Sequence, residues 1–292
     1  MKGIILAGGH GTRLRPLTTA LSKQLLPVYN KPMIFYPLSM LLLADIREIL
    51  VISSPSQLPL FQRLLGTGKQ WGVKFSFIAQ KEPKGIAEAF LLGEEFIDNQ
   101  PVCLILGDNI FYGNNIPQLL RNAAGKNDGA HIFAYEVNQP EQYGIVEVDG
   151  LWNPIRIVEK PRVPKSSWAV PGLYFYDSNV TVLTKSLKPS PRGELEITDL
   201  NRLYLQAGKL SVSPLGRGVA WLDAGTSENL LQASQFVHAV EARQGTMISC
   251  IEEIAYKRGF ISISALKILV AKMGDNQYKA YLEKLIEKEN HG

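Results

Sequence analysis

The N-terminal segment joins a short apolar run to a glycine-rich loop, and this junction is the strongest constraint on the fold. Residues 2–27 read KGIILAGGHGTRLRPLTTALSKQLLP, in which Gly3–Ala7 predicts a buried strand. Three glycines and then three cations follow the strand: Gly8, Gly9, Gly11, Arg13, Arg15 and Lys23. Because glycine has no Cβ, such a loop lets backbone N–H groups approach an anion closely. The segment therefore predicts a phosphate-binding site.

The loop differs from the two commonest phosphate-binding motifs. A Walker loop requires Gly-Lys followed by Ser or Thr, a combination that does not occur in this sequence. A dinucleotide fingerprint requires a third glycine where Leu14 stands and an acid about twenty residues later, where Tyr29 and Asn30 stand. An NAD-dependent sugar dehydrogenase or epimerase is therefore disfavoured. The glycines alone are compatible with a simple turn, whereas the added cations favour phosphate binding.

Composition and charge restrict the class of protein. The chain has 292 residues, of which 46% are hydrophobic and 20% charged, as in an ordinary globular protein with a sizeable core. A net charge of +4 is too small to indicate a nucleic-acid partner and suits an anionic small molecule equally well. Cys103 and Cys250 provide neither a disulfide framework nor a metal-binding spacing. No apolar run approaches about eighteen residues and no signal peptide precedes the first strand, so we expect a cytoplasmic protein without a membrane segment.

Short apolar runs alternate with helical periodicity along most of the chain. The predicted strands are Gly3–Ala7, Glu48–Ser53, Val73–Ala79, Val102–Leu106, Ala130–Val137, Ile145–Val148, Ile155–Glu159 and Leu173–Tyr176. The predicted helices are Pro32–Ala44, Leu58–Leu65, Ile86–Phe96, Ile116–Ala123, Ile197–Ala207, Ser227–Arg243, Ile263–Met273 and Tyr278–Glu289. Strands separated by such helices indicate an α/β protein with a mainly parallel sheet. Closely spaced strands between 130 and 176 predict a small antiparallel addition, and residues from about 240 onward predict a helical extension.

Two aspartates end apolar runs and are candidate metal ligands. Asp108 follows the predicted strand Val102–Leu106, and Asp223 ends a second apolar run, two residues before Gly225. Ligands of open parallel sheets bind outside the carboxyl ends of the strands, so Asp108 is expected to share a crevice with the glycine loop. Mg²⁺ takes one or two protein carboxylates together with substrate phosphates, which suits two such acids. Each acid considered alone is equally compatible with a helix cap or a turn.

Two segments carry a family resemblance. GIILAGGHGTRLRPLT, followed by SKQLLPVYNKPM, resembles the signature of the sugar-1-phosphate nucleotidyltransferases, and most closely that of the glucose-1-phosphate thymidylyltransferases. The likeness covers essentially the whole chain, with His10 where the family usually has a small or hydroxyl residue. It implies a three-layer α/β/α Rossmann-like nucleotidyltransferase fold with a predominantly parallel mixed central sheet. It also implies a catalytic domain over 1–240, with a nucleotide-binding part at about 1–130 and a sugar-binding part at about 131–226, and a helical extension over 241–292.

The resemblance also implies a reaction and the residues that serve it. The family transfers the thymidylyl group of dTTP to glucose 1-phosphate with Mg²⁺ and releases pyrophosphate, as a first step toward dTDP-rhamnose or related deoxysugars. The implied nucleotide contacts are Gly8, Gly9, Gly11, Thr12, Arg13, Lys23, Gln24, Gln80, Gly85 and Asp108. The implied sugar-phosphate contacts are Tyr143, Gly144, Glu159, Lys160, Val170 and Glu194. The implied catalytic set comprises Arg13, Lys23, Asp108, Lys160 and Asp223, with Asp108 and Asp223 as metal ligands.

The C-terminal helices resemble those of thymidylyltransferases that form homotetramers with a second, regulatory nucleotide-sugar site. The matching regulatory positions are Tyr112, Gly113, Arg217, Glu253 and Ile254. The apolar stripes of these helices would look the same if they packed only on the core of their own chain.

Two functional alternatives stay open at this point. One is the same reaction with UTP or CTP, and the other is a non-catalytic regulatory subunit that binds a nucleotide sugar. The second would be expected to have lost an acid or a phosphate-binding lysine, and this chain retains them. Lys84 and Glu88, predicted to be helix-surface charges, flank Gly85 closely enough to leave the base selectivity open.

Overall fold

The apolar run at the N-terminus forms β1 (Lys2–Leu6), which lies inside a ten-stranded sheet. The computed structural model describes residues 1–291. The other strands are β2 (Pro27–Val28), β3 (Lys31–Pro32), β4 (Glu48–Ser53), β5 (Lys74–Ala79), β6 (Val102–Leu106), β7 (Asn109–Tyr112), β8 (Ala130–Glu136), β9 (Gly144–Val148), β10 (Pro154–Glu159), β11 (Trp168–Ala169), β12 (Leu173–Tyr176), β13 (Leu210–Pro214) and β14 (Ala220–Asp223). The helices are α1 (Phe35–Leu43), α2 (Leu58–Leu65), α3 (Glu88–Leu92), α4 (Glu94–Ile97), α5 (Ile116–Ala124), α6 (Val180–Lys185), α7 (Ile197–Gln206), α8 (Ser227–Gln244), α9 (Ile251–Lys257), α10 (Ile263–Ala271) and α11 (Gln277–His291). Every strand predicted from the sequence is present, with its ends displaced by no more than one residue.

The central sheet is parallel on one side and largely antiparallel on the other. Its strand order is β10-β9-β11-β8-β12-β6-β1-β4-β5, and β13 pairs with β8. Strands β6, β1, β4 and β5 are parallel because helical crossovers connect them. β12 runs antiparallel between β6 and β8, and β9, β10 and β11 form the predicted antiparallel addition. Of the ten described strands in this sheet, β10, β11 and β12 oppose the other seven, which confirms a mixed, mainly parallel sheet.

Helices cover both faces of the sheet, as its apolar strands require. Side chains alternate between the two faces along a strand, so neighbouring residues enter different cores. Ile5 and Ile49 belong to the core that contains α1, α2 and α5. Ile4 and Leu50 belong to the opposite core, which contains α3, α4, α6 and α7. All four side chains are completely buried, and the predicted three-layer α/β/α arrangement is confirmed.

The structure differs from the sequence prediction at several helices and short strands. The predicted helix 86–96 is divided at Gly93 into α3 and α4, in keeping with the low helix propensity of glycine. The predicted helix 32–44 begins only at Phe35, because β3 pairs with β2 in a short antiparallel ladder. The elements that the sequence prediction lacks are β2, β3, β7, β11, β13, β14 and α6, and α9 lies in the predicted helical extension without having been predicted as a separate helix.

A two-stranded ladder beside the main sheet determines where the second aspartate lies. β7 begins directly after Asp108, and β14 pairs with it in antiparallel register so that Asp223 lies opposite Asn109. The ladder packs with α8 in an apolar cluster that includes the buried residues Ile110 and Val237. Because the ladder starts where β6 ends, it brings residues 108 and 223 together although they are far apart in sequence.

The C-terminal extension packs against the rest of the chain. Ile251 and Ala255 of α9 are buried in the same core as α1. Arg258, which follows α9, donates two hydrogen bonds to the Asp45 carboxylate, at 2.8 and 2.5 Å. α10 and α11 add a small apolar cluster of their own. Among the described helices, none combines the length and the apolar character that crossing a membrane requires.

Candidate active site

Three chain segments meet at one edge of the sheet. The glycine loop follows β1, Gln80 follows β5, and Asp108 lies two residues after β6. These strands are parallel, so their carboxyl ends share the edge at which ligands of such sheets bind. Gly8 packs so closely on Gln80 that a Cβ at residue 8 would overlap the Gln80 Oε1 atom. The loop requires glycine at this position because a neighbouring side chain fills the space.

Asp108 is held by one cation and one amide. Its Oδ2 accepts a hydrogen bond from the Lys23 ammonium group, and its Oδ1 accepts one from Asn109 Nδ2 at 3.0 Å. Burial alone would raise the pKa of Asp108. The charge and hydrogen bond of Lys23, together with hydrogen bonds from Asn109 and the backbone, lower this pKa below its ordinary value. Asp108 is therefore ionised at neutral pH and presents a fixed negative charge beside the glycine loop.

Asp223 lies near Asp108 in a less favourable environment. Its Oδ1 atom is buried and has no hydrogen-bond partner. Burial, and then the charge of Asp108, raise the pKa of Asp223, whereas Lys23 and Arg13 act in the opposite direction. The Arg13 guanidinium group is also close to Asp223, because both side chains border Gly225. A Cβ built on Gly225 would lie 2.9 Å from Asp223 Oδ1 and 3.0 Å from Arg13 Nη2. Two neighbouring acids therefore lie together, and the Oδ1 atom of Asp223 accepts no hydrogen bond even though Lys23 and Arg13 are near.

Asn109 fixes the orientation of Asp108, a role that the sequence analysis does not identify. The Asn109 Nδ2 atom donates to Asp108, as described above. Its Oδ1 atom accepts hydrogen bonds from the Gly172 N–H at 3.0 Å and from the Trp221 indole N–H at 2.7 Å. One amide therefore joins β6, β12 and β14. The only sequence signal for this role is the position of Asn109 directly after the candidate acid.

Two cavities open at this edge and share a wall. The loop cavity, of about 390 Å³, lies against the glycine loop and residues 80–86. The strand cavity, of about 280 Å³, lies against the ends of β9, β12 and β14. Asp108, Glu159 and Lys160 line both cavities. Two ligands that bind side by side would therefore meet over the same acids and the same lysine.

The structure gathers most of the predicted site residues around these cavities. The loop cavity is lined by Gly8, Gly9, Lys23, Gln24, Gln80, Gly85 and Glu194. The strand cavity is lined by Arg13, Tyr143, Gly144, Val170 and Asp223. Gly11 lines a recess on the outer side of the loop, and Thr12 begins a 3-10 turn and lines neither cavity. Glu194, which the resemblance puts beside the sugar, lies in the loop cavity and not in the strand cavity.

The segment 80–88 supplies Gln80, Pro83, Gly85 and Ile86 to the wall of the loop cavity. Gly85 has a left-handed backbone with φ of 101°, and a Cβ there would overlap the carbonyl oxygen of Leu195. The Lys84 carbonyl accepts the Leu195 N–H at 2.7 Å, which fixes this segment in place. The Gln80 side-chain amide donates to Glu88 Oε2 at 2.7 Å. Glu88 is half-buried against Gln80, which corrects its interpretation as a helix-surface charge.

Glu159 and Lys160 form the polar wall of the strand cavity. Glu159 Oε2 accepts a hydrogen bond from Thr198 Oγ1 at 2.6 Å, and the Arg192 guanidinium group lies 3.7 Å from the other carboxylate oxygen. Lys160 turns the chain after β10 with φ of 39°, and its N–H donates to the Tyr143 carbonyl at 3.0 Å. Positive φ is uncommon outside glycine and clusters at functional sites. Thr198 is a further polar residue of this wall that sequence reasoning does not single out.

A third cavity involves the C-terminal extension. This C-terminal cavity, of about 250 Å³, lies between α1, β7, α5 and α9. Four of the predicted regulatory residues line it: Tyr112, Gly113, Glu253 and Ile254. Arg217 does not line this cavity. It lies on the adjoining turn, next to Gly218, whose carbonyl oxygen would be 3.2 Å from a Cβ built on Gly113. The structure therefore brings four of these five residues to one cavity.

Known proteins share both the sequence and the architecture of this chain. The family model described as nucleotidyl transferase matches residues 2–240. A protein of Neisseria meningitidis serogroup A named glucose-1-phosphate thymidylyltransferase is 55% identical over 288 residues, which cover 99% of this chain and all of the relative. The chain therefore belongs to the nucleotidyl transferase family, among the glucose-1-phosphate thymidylyltransferases. Relatives of the same name from Xanthomonas campestris and Mycolicibacterium smegmatis are 53% and 52% identical over 98% and 99% of this chain, and these matches cover 97% and 100% of the relatives.

Solved structures agree with this family. A crystal structure from Bacillus anthracis, described as a glucose-1-phosphate thymidylyltransferase in complex with a sucrose, superimposes with a TM-score of 0.75. Its sequence is 42% identical, and the match covers 81% of this chain and 94% of that chain. UDP-glucose pyrophosphorylase complexed with UDP-glucose superimposes with a TM-score of 0.73 at 24% identity, over 82% of this chain and 98% of that one. The second similarity supports the shared fold alone.

The environment of Asp223 predicts that its charge destabilises the ligand-free protein. Asp223→Asn removes the repulsion from Asp108 and should raise the free energy of unfolding at pH 7 by about 1 kcal/mol, the order of an unpartnered buried polar group. Urea denaturation without nucleotide or metal measures this change. Asp275→Asn is the control, because its carboxylate is 96% exposed and should change stability by less than about 0.5 kcal/mol. A destabilised Asp223→Asn protein would contradict this view of the two acids.

Proposed function

We propose that the chain transfers the thymidylyl group of dTTP to α-D-glucose 1-phosphate and forms dTDP-glucose and pyrophosphate. The observation that carries the proposal is the pair of cavities that share Asp108, Glu159 and Lys160. A nucleotide in one cavity and a sugar phosphate in the other would have their phosphates at this shared wall. The dTDP-glucose would supply the synthesis of dTDP-rhamnose or a related deoxysugar.

The loop cavity suits the nucleotide. Gly8, Gly9 and Lys23 line it, so that backbone N–H groups and an ammonium group are available to a triphosphate. Gln24 and Gln80 line the same cavity and are buried, and they supply the neutral hydrogen-bonding groups that an uncharged base requires. The cavity thus combines groups that can bind phosphates with neutral groups that can bind the base.

The strand cavity suits a hexose phosphate. Tyr143, Gly144 and Val170 line it beside the Glu159 carboxylate, and these groups can contact sugar carbons and hydroxyls. Lys160 lies where this cavity meets the loop cavity, so its ammonium group can bind the phosphate of the sugar. A sugar phosphate held in this way points its reactive oxygen toward the nucleotide.

Asp108 and Asp223 fit the divalent cation that the family resemblance implies. The buried Asp223 Oδ1 atom accepts no hydrogen bond. Burial raises the pKa of Asp223, and the negative charge of Asp108 raises it further. Mg²⁺ prefers carboxylate oxygens and takes one or two from a protein when phosphates supply others. When bound, Mg²⁺ would neutralise negative charge on the reacting phosphates.

The reaction needs neither a general base nor a covalent intermediate. Phosphate oxygens of glucose 1-phosphate are ionised at neutral pH, and one of them would attack the α-phosphorus in line with the leaving pyrophosphate. Lys23 and Arg13 would stabilise the charge of that leaving group, and Lys160 would orient the attacking phosphate. His131 has a pKa lowered to about 4 by burial and by the charge of Lys126, and it lines neither cavity.

One assay distinguishes this function from its alternatives. The protein is incubated with glucose 1-phosphate, Mg²⁺ and dTTP, UTP, CTP or ATP in turn, and pyrophosphate release is measured with and without EDTA. We expect the fastest release with dTTP and no release with EDTA. Faster release with UTP or CTP would identify a different nucleotide substrate. Binding of dTDP-glucose without release from any pairing would identify a regulatory subunit.

Lys160 provides a test of the sugar-phosphate site. Lys160→Ala removes a charge-assisted hydrogen bond and should raise the KM for glucose 1-phosphate about 10- to 100-fold, with a smaller change in the KM for dTTP. Steady-state kinetics with each substrate varied in turn measures the two values. Lys165→Ala is the matched control, because Lys165 is exposed on the same loop and lines neither cavity. An unchanged KM for the sugar phosphate in Lys160→Ala would remove this residue from the site.

The C-terminal cavity supports a second, regulatory binding site for a nucleotide sugar in a homotetramer. Tyr112, Gly113 and Ile254 offer it backbone and apolar surface, and Glu253 adds a carboxylate that the Lys257 ammonium group contacts at 2.6 Å. The cavity is formed by residues remote in sequence from the glycine loop and shares no lining residue with the loop cavity. A ligand there would therefore bind without displacing dTTP.

This regulatory site predicts the pattern of product inhibition. If dTDP-glucose or a related dTDP-sugar binds the C-terminal cavity, inhibition should persist at saturating dTTP, because the two ligands do not compete. Initial rates at several dTTP and inhibitor concentrations measure this pattern, and light scattering should give the mass of four chains. Inhibition that saturating dTTP abolishes would contradict a separate site.

A further inference from the structure

We propose that the recess on the outer side of the glycine loop holds pyrophosphate after it has left the nucleotide, with Arg15 and Lys81 as binding residues. This outer recess, of about 450 Å³, lies between the glycine loop, the segment 18–23, the loop 54–57 after β4 and residues 80–83 after β5. Because pyrophosphate is the leaving group of the proposed reaction, this inference rests on the proposed function. Neither Arg15 nor Lys81 is among the nucleotide contacts that the family resemblance implies.

The outer recess and the two cavities form a row with the loop cavity in the middle. The loop cavity shares Gly9, Lys23 and Gln80 with the outer recess, and it shares Asp108 and Lys160 with the strand cavity. The outer recess and the strand cavity have no lining residue in common within the described chain. A nucleotide in the loop cavity would therefore have the sugar-phosphate site at one wall and the outer recess at a different wall.

The geometry of the proposed displacement directs pyrophosphate toward the outer recess. An oxygen of the sugar phosphate bonds to the α-phosphorus while the bond from that phosphorus to the bridging oxygen of the β-phosphate breaks, and the electron pair stays with the pyrophosphate. Because the entering and leaving oxygens lie roughly in line, a group that enters from the strand cavity expels pyrophosphate away from that cavity. Lys23 lines both the loop cavity and the outer recess, so pyrophosphate could pass from one to the other beside the same ammonium group.

The outer recess carries the charge that a polyanion requires. Its lining includes four basic side chains, those of His10, Arg15, Lys23 and Lys81, and no Asp or Glu of the described chain lines it. Arg15 and Lys81 are exposed, and neither forms an ion pair with a carboxylate among residues 1–291. A guanidinium group binds phosphate oxygens as a fork, and an ammonium group binds them as a compact charge. Both charges are thus available to a phosphate ligand.

Hydrogen bonds fix the walls of the outer recess. The Gln57 side chain accepts the Ser22 N–H at 2.8 Å and donates to the Ala20 carbonyl at 3.2 Å. Thr18 Oγ1 donates to the Gly11 carbonyl at 2.7 Å. These bonds join the glycine loop and the segment that follows it to the loop after β4, so the basic side chains project from a supported backbone.

Bound dTTP and free pyrophosphate would depend on these cations to different extents. The triphosphate of dTTP is attached to a nucleoside in the loop cavity, where the loop N–H groups and Lys23 are available to it. Pyrophosphate has no such attachment once the bond to the α-phosphorus is broken, and it would move to the more basic recess. Removing Arg15 or Lys81 should therefore weaken pyrophosphate binding more than dTTP binding.

The test measures both ligands in Arg15→Gln and Lys81→Gln. Titration calorimetry with inorganic pyrophosphate and Mg²⁺ should give a Kd about 10-fold higher in each variant than in the parent, because each variant loses a charge-assisted contact. The Kd for dTTP should change less than about twofold. In the reverse reaction, the KM for pyrophosphate should rise about 10-fold, and the KM for dTDP-glucose should stay within about twofold of the parent value.

A matched variant separates this effect from a general loss of positive charge. Lys84→Gln removes a charge from the same segment as Lys81, but the Lys84 side chain is 61% exposed, lies 3.8 Å from the Glu82 carboxylate and lines neither the outer recess nor the loop cavity. We expect it to keep the parent Kd for pyrophosphate. A parent-like Kd for pyrophosphate in Arg15→Gln or in Lys81→Gln would overturn the inference. So would an equal loss of dTTP affinity, because these residues would then merely support the nucleotide site.

The binding measurement also separates this inference from the proposed function. A protein that binds pyrophosphate through Arg15 and Lys81 but transfers no nucleotide would contradict the proposed function and leave the outer recess supported as a pyrophosphate site. A protein that forms dTDP-glucose, with pyrophosphate affinities unchanged in both variants, would contradict the inference alone.

Discussion

The ion pair between Lys23 and Asp108 is the contact on which the rest of the site depends. It joins the loop after β1 to the end of β6 across the parallel strands, from residues 85 positions apart. A buried ion pair adds little to net stability, because desolvating both charges costs about as much as their attraction provides. Its consequence is chemical: it fixes a negative group at the wall that both cavities share and a positive group beside it in the loop cavity. A triphosphate that engages Lys23 would leave Asp108 free to contact a cation.

The position of Asp223 beside Asp108 lowers the stability of the ligand-free protein and suits the cation proposed above. The pairing of β14 with β7 puts Asp223 beside a fixed negative charge, with one oxygen that accepts no hydrogen bond. Such an oxygen destabilises the ligand-free chain and would be satisfied by the cation proposed above. Asn109 keeps the two acids in place by connecting β6, β12 and β14 through one amide. The two acids are therefore held together in spite of the repulsion between their charges.

The sequence predicts the parts of this structure that local patterns control. Apolar runs identify eight of the ten described strands of the central sheet, and the proximity of the glycine loop to Asp108 follows from strand ends alone. The short ladder of β7 and β14 is not predicted, because pairing between distant segments leaves no periodic signal in either one. The role of Asn109 depends on that ladder and is missed with it. Glu88 is misread as a surface charge for the same reason: its partner, Gln80, lies on another element.

A crystal structure with dTTP and Mn²⁺ is the most direct test, because anomalous scattering locates the metal. The convergence of two distant acids with the glycine loop predicts one anomalous peak in contact with the carboxylates of both Asp108 and Asp223. It also predicts that the triphosphate lies in the loop cavity against the loop N–H groups and Lys23. A metal bound away from either carboxylate, or a triphosphate outside that cavity, would contradict the account.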